Sequence, residues 1–140
     1  MPNDHGGAMT AQRTVLTLEG ARRISAAAEA EARRQGWNVC IAVVDFYGNL
    51  LHFVRMDDTQ SASNEIAIGK ARTAAMFRRS SKTLEDSVAG RPGMLNFPAV
   101  PVQGGLPLMA GGKVVGGIGV SGVQSQQDEI IAKAGADLLE

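Results

Sequence analysis

A chain of 140 residues is long enough to bury a core as one domain without disulfides or a structural metal. Its 14 basic and 14 acidic residues cancel, which leaves no electrostatic footprint for nucleic acid or an anionic membrane surface. Hydrophobic residues at 44% and charged ones at 20% describe a soluble globular protein, while aromatics at 4% are too sparse for a base-stacking platform.

The opening stretch MPNDHGGAMTAQ has neither an apolar signal core nor a basic start. The expectation is a flexible tail over residues 1–14, then a single domain over 15–140, in the cytoplasm. No span approaches the roughly 20 apolar residues of a membrane helix. From Thr17 the pattern turns helical: Thr17 can cap, Glu19 suits the first turn, and Gly36 is placed to stop the helix. Ala21, Ile24, Ala28 and Ala32 recur between them at three- and four-residue spacing. NVCIAVVD and LLHFVRM, joined through Tyr47-Gly48-Asn49, predict a β-hairpin, its first strand central and covered on both faces. Cys40 within that strand reads as a buried, inert thiol, and a lone cysteine allows no internal disulfide.

SASNEIAIGKARTAAMF predicts a second helix, with Ile66, Gly69, Thr73 and Phe77 at helical intervals and Ser61 or Ser63 as cap. Between Ser81 and Val100 the expectation is a short helix over KTLEDSVA followed by loop. GGLPLM and KVVGGIGV flank Ala110-Gly111-Gly112 and predict a second hairpin. Ser125-Gln126-Gln127-Asp128 then reads as a capping box, opening a helix with the stripe Ile131, Ala134 and Leu138. Helices lying over paired hairpins define an α+β sandwich around an antiparallel sheet.

The candidate chemistry starts with Gly116, Gly117 and Gly119. Their spacing is neither a dinucleotide fingerprint nor a phosphate loop. Strand glycines serve either close helix packing or a ligand wall, and both readings stay open here. Backbone amides around Ser121-Gly122 could bind an anion ahead of the last helix. Arg55 at a strand end could clamp a carboxylate, or could hold the strand-to-helix corner by pairing with Asp57 or Glu65. Lys70 lies on an alanine-rich helix, where the common arrangement is snorkelling at the rim and the alternative is a ligand-facing ammonium. His52 is the one histidine inside the predicted domain, and no zinc motif accompanies it.

The blocks AVVDFYGNLLHFVRMDD, NEIAIGKARTAAMF, GGLPLMAGGKVVGGIGVSG and QQDEIIAKAGADL closely resemble the haem-binding and haem-degrading GlcG/HbpS-like family, which also supplies the C-terminal domain of some PduO-type corrinoid adenosyltransferases. The resemblance runs from about Thr17 to the end of the chain. It implies a profilin-like α+β fold, an antiparallel sheet flanked by helices, and homo-oligomers from dimer to octamer. It also implies haem as ligand, with possible support for oxidative haem breakdown. Arg55 or Lys70 would meet the propionates, Gly105, Ser121 and Gly122 would line the pocket, and His52, Met56 or a subunit-interface residue would approach the iron. His52 stands where the family is commonly apolar, so it would be a ligand private to this chain. The alternative is a small enzyme or accessory protein acting on a carboxylated or oxygenated metabolite. There Arg55 would anchor the carboxylate, amides near Ser121 would stabilise an oxyanion, and Glu65 or Asp128 would move protons. A structural oligomer supporting a partner enzyme is the third reading.

Overall fold

The computed structural model describes residues 7–139. His5 and the first part of the expected 1–14 tail lie outside the described residues. Thr17 is extended at φ −90° and ψ 162°, and its Oγ1 accepts the Gly20 N–H at 2.9 Å, which starts α1 (Leu18–Gln35). Gly36 ends the helix in the left-handed region at φ 76°, its N–H donating to the Ala32 and Arg33 carbonyls. Ala21, Ile24, Ala28 and Ala32 all face the core, as their spacing predicts. Thr17→Ala orphans a first-turn N–H, and a loss of about 1 kcal/mol in a urea melt is expected.

Both hairpins form. β1 (Cys40–Asp45) pairs with β2 (Leu50–Arg55), and β3 (Gly105–Ala110) with β4 (Lys113–Ser121). β1 and β4 then pair antiparallel in the middle, so the four-stranded sheet runs β2-β1-β4-β3. β1 is central and buried up to Val44, as its continuous hydrophobicity predicts. The turn after it is built by Asp45, whose carboxylate accepts the N–H groups of Tyr47 and Asn49 at 2.8 and 2.9 Å and the Asn49 amide at 3.1 Å.

Strand alternation divides the core into two layers. Ile41 and Val43 point toward α1 and α4 (Ser125–Leu139), joining Ile24, Ile118, Val120 and Ile131. Cys40, Ala42 and Val44 point the other way and meet Ala67, Ala71 and Ala75 of α2 (Ser63–Phe77). Cys40 is indeed buried. Burial pushes its thiol up, with Arg55 opposing, and Sγ contacts Asn64 Oδ1 at 3.1 Å.

Four local expectations differ from the structure. The inward face of α2 is Ala67, Ala71, Ala74 and Ala75, while Ile66, Gly69 and Phe77 are half-buried. Its N-cap position is Ala62, with no side-chain cap; Ser63 Oγ instead accepts from Ser121 Oγ at 3.1 Å. In α4 the buried stripe is Asp128, Ile131, Ala132 and Gly135, with Leu138 exposed. The capping contacts there are also shifted by one residue. Gln127 Oε1 reaches back to the Gln124 N–H at 3.1 Å, while Asp128 Oδ1 takes the Val123 N–H at 3.1 Å.

The irregular region contains α3 (Ser81–Gly90), capped by Ser80, and a 3-10 turn at Pro92–Asn96. Its far end is tied down by Thr73, whose Oγ1 accepts the Val100 N–H at 2.7 Å. Gly69 makes room there: a Cβ on it would lie 2.3 Å from Val100 Cγ2. Among the described residues no helix is long and apolar enough to cross a membrane.

Candidate functional site

The glycine strand resolves first. A Cβ at Gly117 would sit 2.3 Å from the Ala71 carbonyl oxygen, and one at Gly119 would sit 2.1 Å from that of Ala67. On the neighbouring strand a Cβ at Gly105 would lie 2.3 Å from the Lys70 carbonyl oxygen. The three glycines form a track on which the α2 backbone rests directly. They serve close packing, and Gly105 stands under a helix.

That approach fixes Lys70, which is 2% exposed and therefore sealed inside the fold, not snorkelling at a rim. Its Nζ donates to the Val120 carbonyl at 3.0 Å and to Asp128 Oδ2 at 3.1 Å. Lys70 belongs to the α2 layer and Asp128 to the α4 layer, so the ion pair joins the two layers across the sheet. Gly104, at φ 131°, leaves the passage: a Cβ there would be 2.8 Å from the Lys70 Nζ. Burial raises the Asp128 carboxyl above its ordinary value, against the lowering attraction of Lys70.

The same carboxylate closes the proposed anion site. The amides that follow Ser121-Gly122, those of Val123 and Gln124, already donate to Asp128 and Gln127. Ser121 is buried and donates its hydroxyl to Ser63, and Gly122 packs against the Asn38 carbonyl. An open polar surface of about 550 Å³ lies outside, over Val123, Gln124, Ser125 and Gln127.

Arg55 donates from Nη2 to the Thr59 carbonyl, and no carboxylate ion-pairs with it among the described residues. It thus holds the strand-to-helix corner, through a carbonyl in place of Asp57 or Glu65. The cleft beside it, shared with Glu29, Arg33 and Asp57, measures about 150 Å³, below the roughly 300–1,000 Å³ of small-molecule sites. His52 pairs across the sheet with Val43, and its Nδ1 is buried without a partner. Glu65 is exposed on α2, while Asp128 is buried and paired, so the two candidate proton carriers do not share a site. Met56 is buried in the core. Among the described residues no group of three or more His, Cys, Asp and Glu side chains could hold a metal ion.

The concavity of suitable size lies elsewhere. Residues 11–14 pass beside the β3–β4 turn and leave a groove of about 650 Å³, lined also by Tyr47, Lys113, Val114 and Val115. An apolar recess of about 250 Å³ adjoins it through the shared lining residues Tyr47 and Val115, adding Val15, Leu16 and Phe46. The Arg13 guanidinium sits over the Phe46 ring, 3.6 Å from its centroid, and Tyr47 meets Phe46 edge-on at 5.1 Å. Arg13 and Lys113 form no ion pair among the described residues. The Asp45 carboxylate beside them is occupied by its own turn. The composition of this site gives little sequence signal. Its one early sign is Phe46-Tyr47, an aromatic pair placed in a turn where apolar rings have no core to fill.

The fold is a small α+β domain in which a groove carrying Arg13 and Lys113 adjoins an apolar recess. The chain belongs to the family described as "Haem degrading protein HbpS-like", which matches residues 16–137. Protein GlcG of Escherichia coli (strain K12) is 40% identical over 111 residues, covering 78% of this chain and 83% of GlcG. The crystal structure of a double mutant of Streptomyces reticuli HbpS superposes with a TM-score of 0.89 at 38% identity, covering 97% of this chain and 94% of that one. A PduOC:haem complex superposes with a TM-score of 0.80 at 29% identity, covering 89% of this chain and 94% of that one.

The groove residues suit haem on three physical counts. Val15, Leu16, Phe46 and Val115 offer apolar and aromatic surface, Arg13 and Lys113 offer cations for carboxylates, and Tyr47 offers a phenol oxygen of the kind that ligates haem iron.

Proposed function

We propose that this protein binds haem, and that oxidative haem breakdown is the chemistry it supports. The observation that carries the reading is an apolar recess adjoining a groove that carries Arg13 and Lys113, in a chain whose fold superposes on a haem complex. Bound haem would supply redox-active iron. The chain's own residues would bury one edge of the macrocycle against Val15, Leu16 and Val115 and keep its carboxylates at the wet rim. Assembly into homo-oligomers belongs to the same proposal, since it follows the family. The metabolite reading has less support: Arg55, the Ser121-Gly122 amides, Glu65 and Asp128 do not converge, and each but Glu65 is engaged elsewhere.

Titration of the purified protein with haemin is expected to give a saturable, stoichiometric Soret shift, and ascorbate as electron donor in air, with dioxygen as the oxidant, should then bleach it with release of iron. A titration that matches a non-binding control protein would remove the haem reading. His52→Ala tests the private-ligand alternative. Because His52 does not line the groove or the recess, the expected Soret spectrum is unchanged.

A further inference from the structure

The geometry points to Tyr47 as the iron ligand and to Arg13 and Lys113 as the carboxylate anchors of a haem held between residues 11–16 and the two hairpin turns. This rests on the haem reading above and gives it an address.

Tyr47 is 66% exposed, at a turn whose backbone is fixed by Asp45. Tyr47 lines both the groove and the recess, so it stands at the junction of the two. Val15, 64% exposed, flanks the same recess. The two side chains therefore present apolar surface to one concavity. Phe46 completes the aromatic part and is held edge-on to Tyr47, with Arg13 covering its ring.

The polar content of the groove is equally one-sided. Its charged lining residues are Arg13 and Lys113, and the adjoining recess adds only Asp45. The three hydrogen bonds that Asp45 accepts turn its charge toward the turn backbone and Asn49. A ligand with a flat apolar body and two carboxylates at one edge matches this distribution. A neutral apolar ligand would leave both cations unused, and a small polar anion would leave the recess empty.

The oxygen donor is the remaining requirement. Tyrosinate is an established axial ligand of ferric haem, and coordination releases the phenol proton to solvent. Among the groove residues only Tyr47 carries a donor of that strength. Histidine and cysteine are absent from the lining.

The test uses full-length protein titrated with haemin, and in parallel with haemin dimethyl ester, whose carboxylates are blocked. Tyr47→Phe should keep the fold and Tm, since the ring stays and the residue is exposed. It should abolish the phenolate-to-iron charge-transfer band and weaken haemin binding at least about tenfold. Lys113→Ala and Arg13→Gln should each weaken haemin by up to about fivefold while leaving the dimethyl ester unaffected, the size expected of an exposed charge pair that needs a carboxylate. If wild type binds haemin but Tyr47→Phe matches it in spectrum and affinity, the assignment of Tyr47 is wrong and the haem reading survives. If the rim variants weaken the ester as much as haemin, the anchor assignment is wrong. Absence of haemin binding by wild type overturns both readings together.

Discussion

Replacing Lys70 with methionine is expected to destabilise the protein by about 3–5 kcal/mol, the usual loss when one member of a buried ion pair is removed. Lys70 and Asp128 are 3.1 Å apart with side-chain exposures of 2% and 3%, so water cannot take over the missing partner. The substitution strands the Asp128 carboxylate and removes the donor to the Val120 carbonyl. Its pH dependence follows from the sign of the Asp128 shift. The folded carboxyl already titrates above its ordinary 3.8 because burial outweighs the attraction of Lys70. A group that binds its proton more tightly when folded loses stability as pH rises through the interval between its unfolded and folded values. Without Lys70 the folded value rises further and that interval widens. The deficit of Lys70→Met should therefore be smallest near the ordinary carboxylate value of 3.8 and grow as the pH is raised from there through neutrality. Urea unfolding across that range measures it. The double variant Lys70→Met/Asp128→Leu, which leaves no stranded charge, should recover much of the loss and show a flatter profile. A single variant within about 1 kcal/mol of wild type would mean that the pair is not the link between the two layers.

Gly119→Ala is the second large effect, and it arises without any charge. The new Cβ would fall 2.1 Å from the Ala67 carbonyl oxygen and 2.3 Å from the Ala71 nitrogen. Both are backbone atoms of α2, so no side-chain rotation relieves the contact, and the helix must lift from the sheet. Overpacking in a tight core costs about 1–3 kcal/mol when side chains can adjust. Here the expected loss is at the top of that range or above it, with a lower Tm and loosened packing of Ala67, Ala71 and Ala75. Gly90→Ala is the matched control. Nothing lies within 4 Å of its added Cβ, so its Tm should stay close to wild type. Equal effects from the two substitutions would show that the glycine track does not hold α2 down.

The elements that were legible in the sequence are those whose signals are local. Thr17 and Gly36 bracket α1 because a cap acts on atoms three or four residues away. The hairpins follow from β-branched runs separated by glycine turns, and the α+β class follows from their order with the helices. The face of α2 was not legible. Alanine is weakly apolar, so Ile66 and Phe77 dominate the pattern, yet Ala67 and Ala71 face inward because glycines on the strand opposite have no side chains. Larger residues turn outward toward the loop, where Phe77 stacks on Phe97 at 6.1 Å. The α4 stripe shifts for a related reason: Gly135 lets Ile24 of α1 approach, which no reading of α4 alone contains.

The sequence by itself determined the fold class, the two hairpins, the limits and buried face of α1, and the family resemblance. Each of these depends on residues close along the chain or on ordered blocks of sequence. Tertiary structure alone decided where the charges went. Lys70 and Asp128 lie 58 positions apart, and only the passage at Gly104 brings them together. The groove likewise draws on residues 11–16, 45–47 and 110–115, which share no periodicity. Burial and pairing are properties of positions in space, and the energy of a charge depends on what surrounds it more than on its neighbours in sequence.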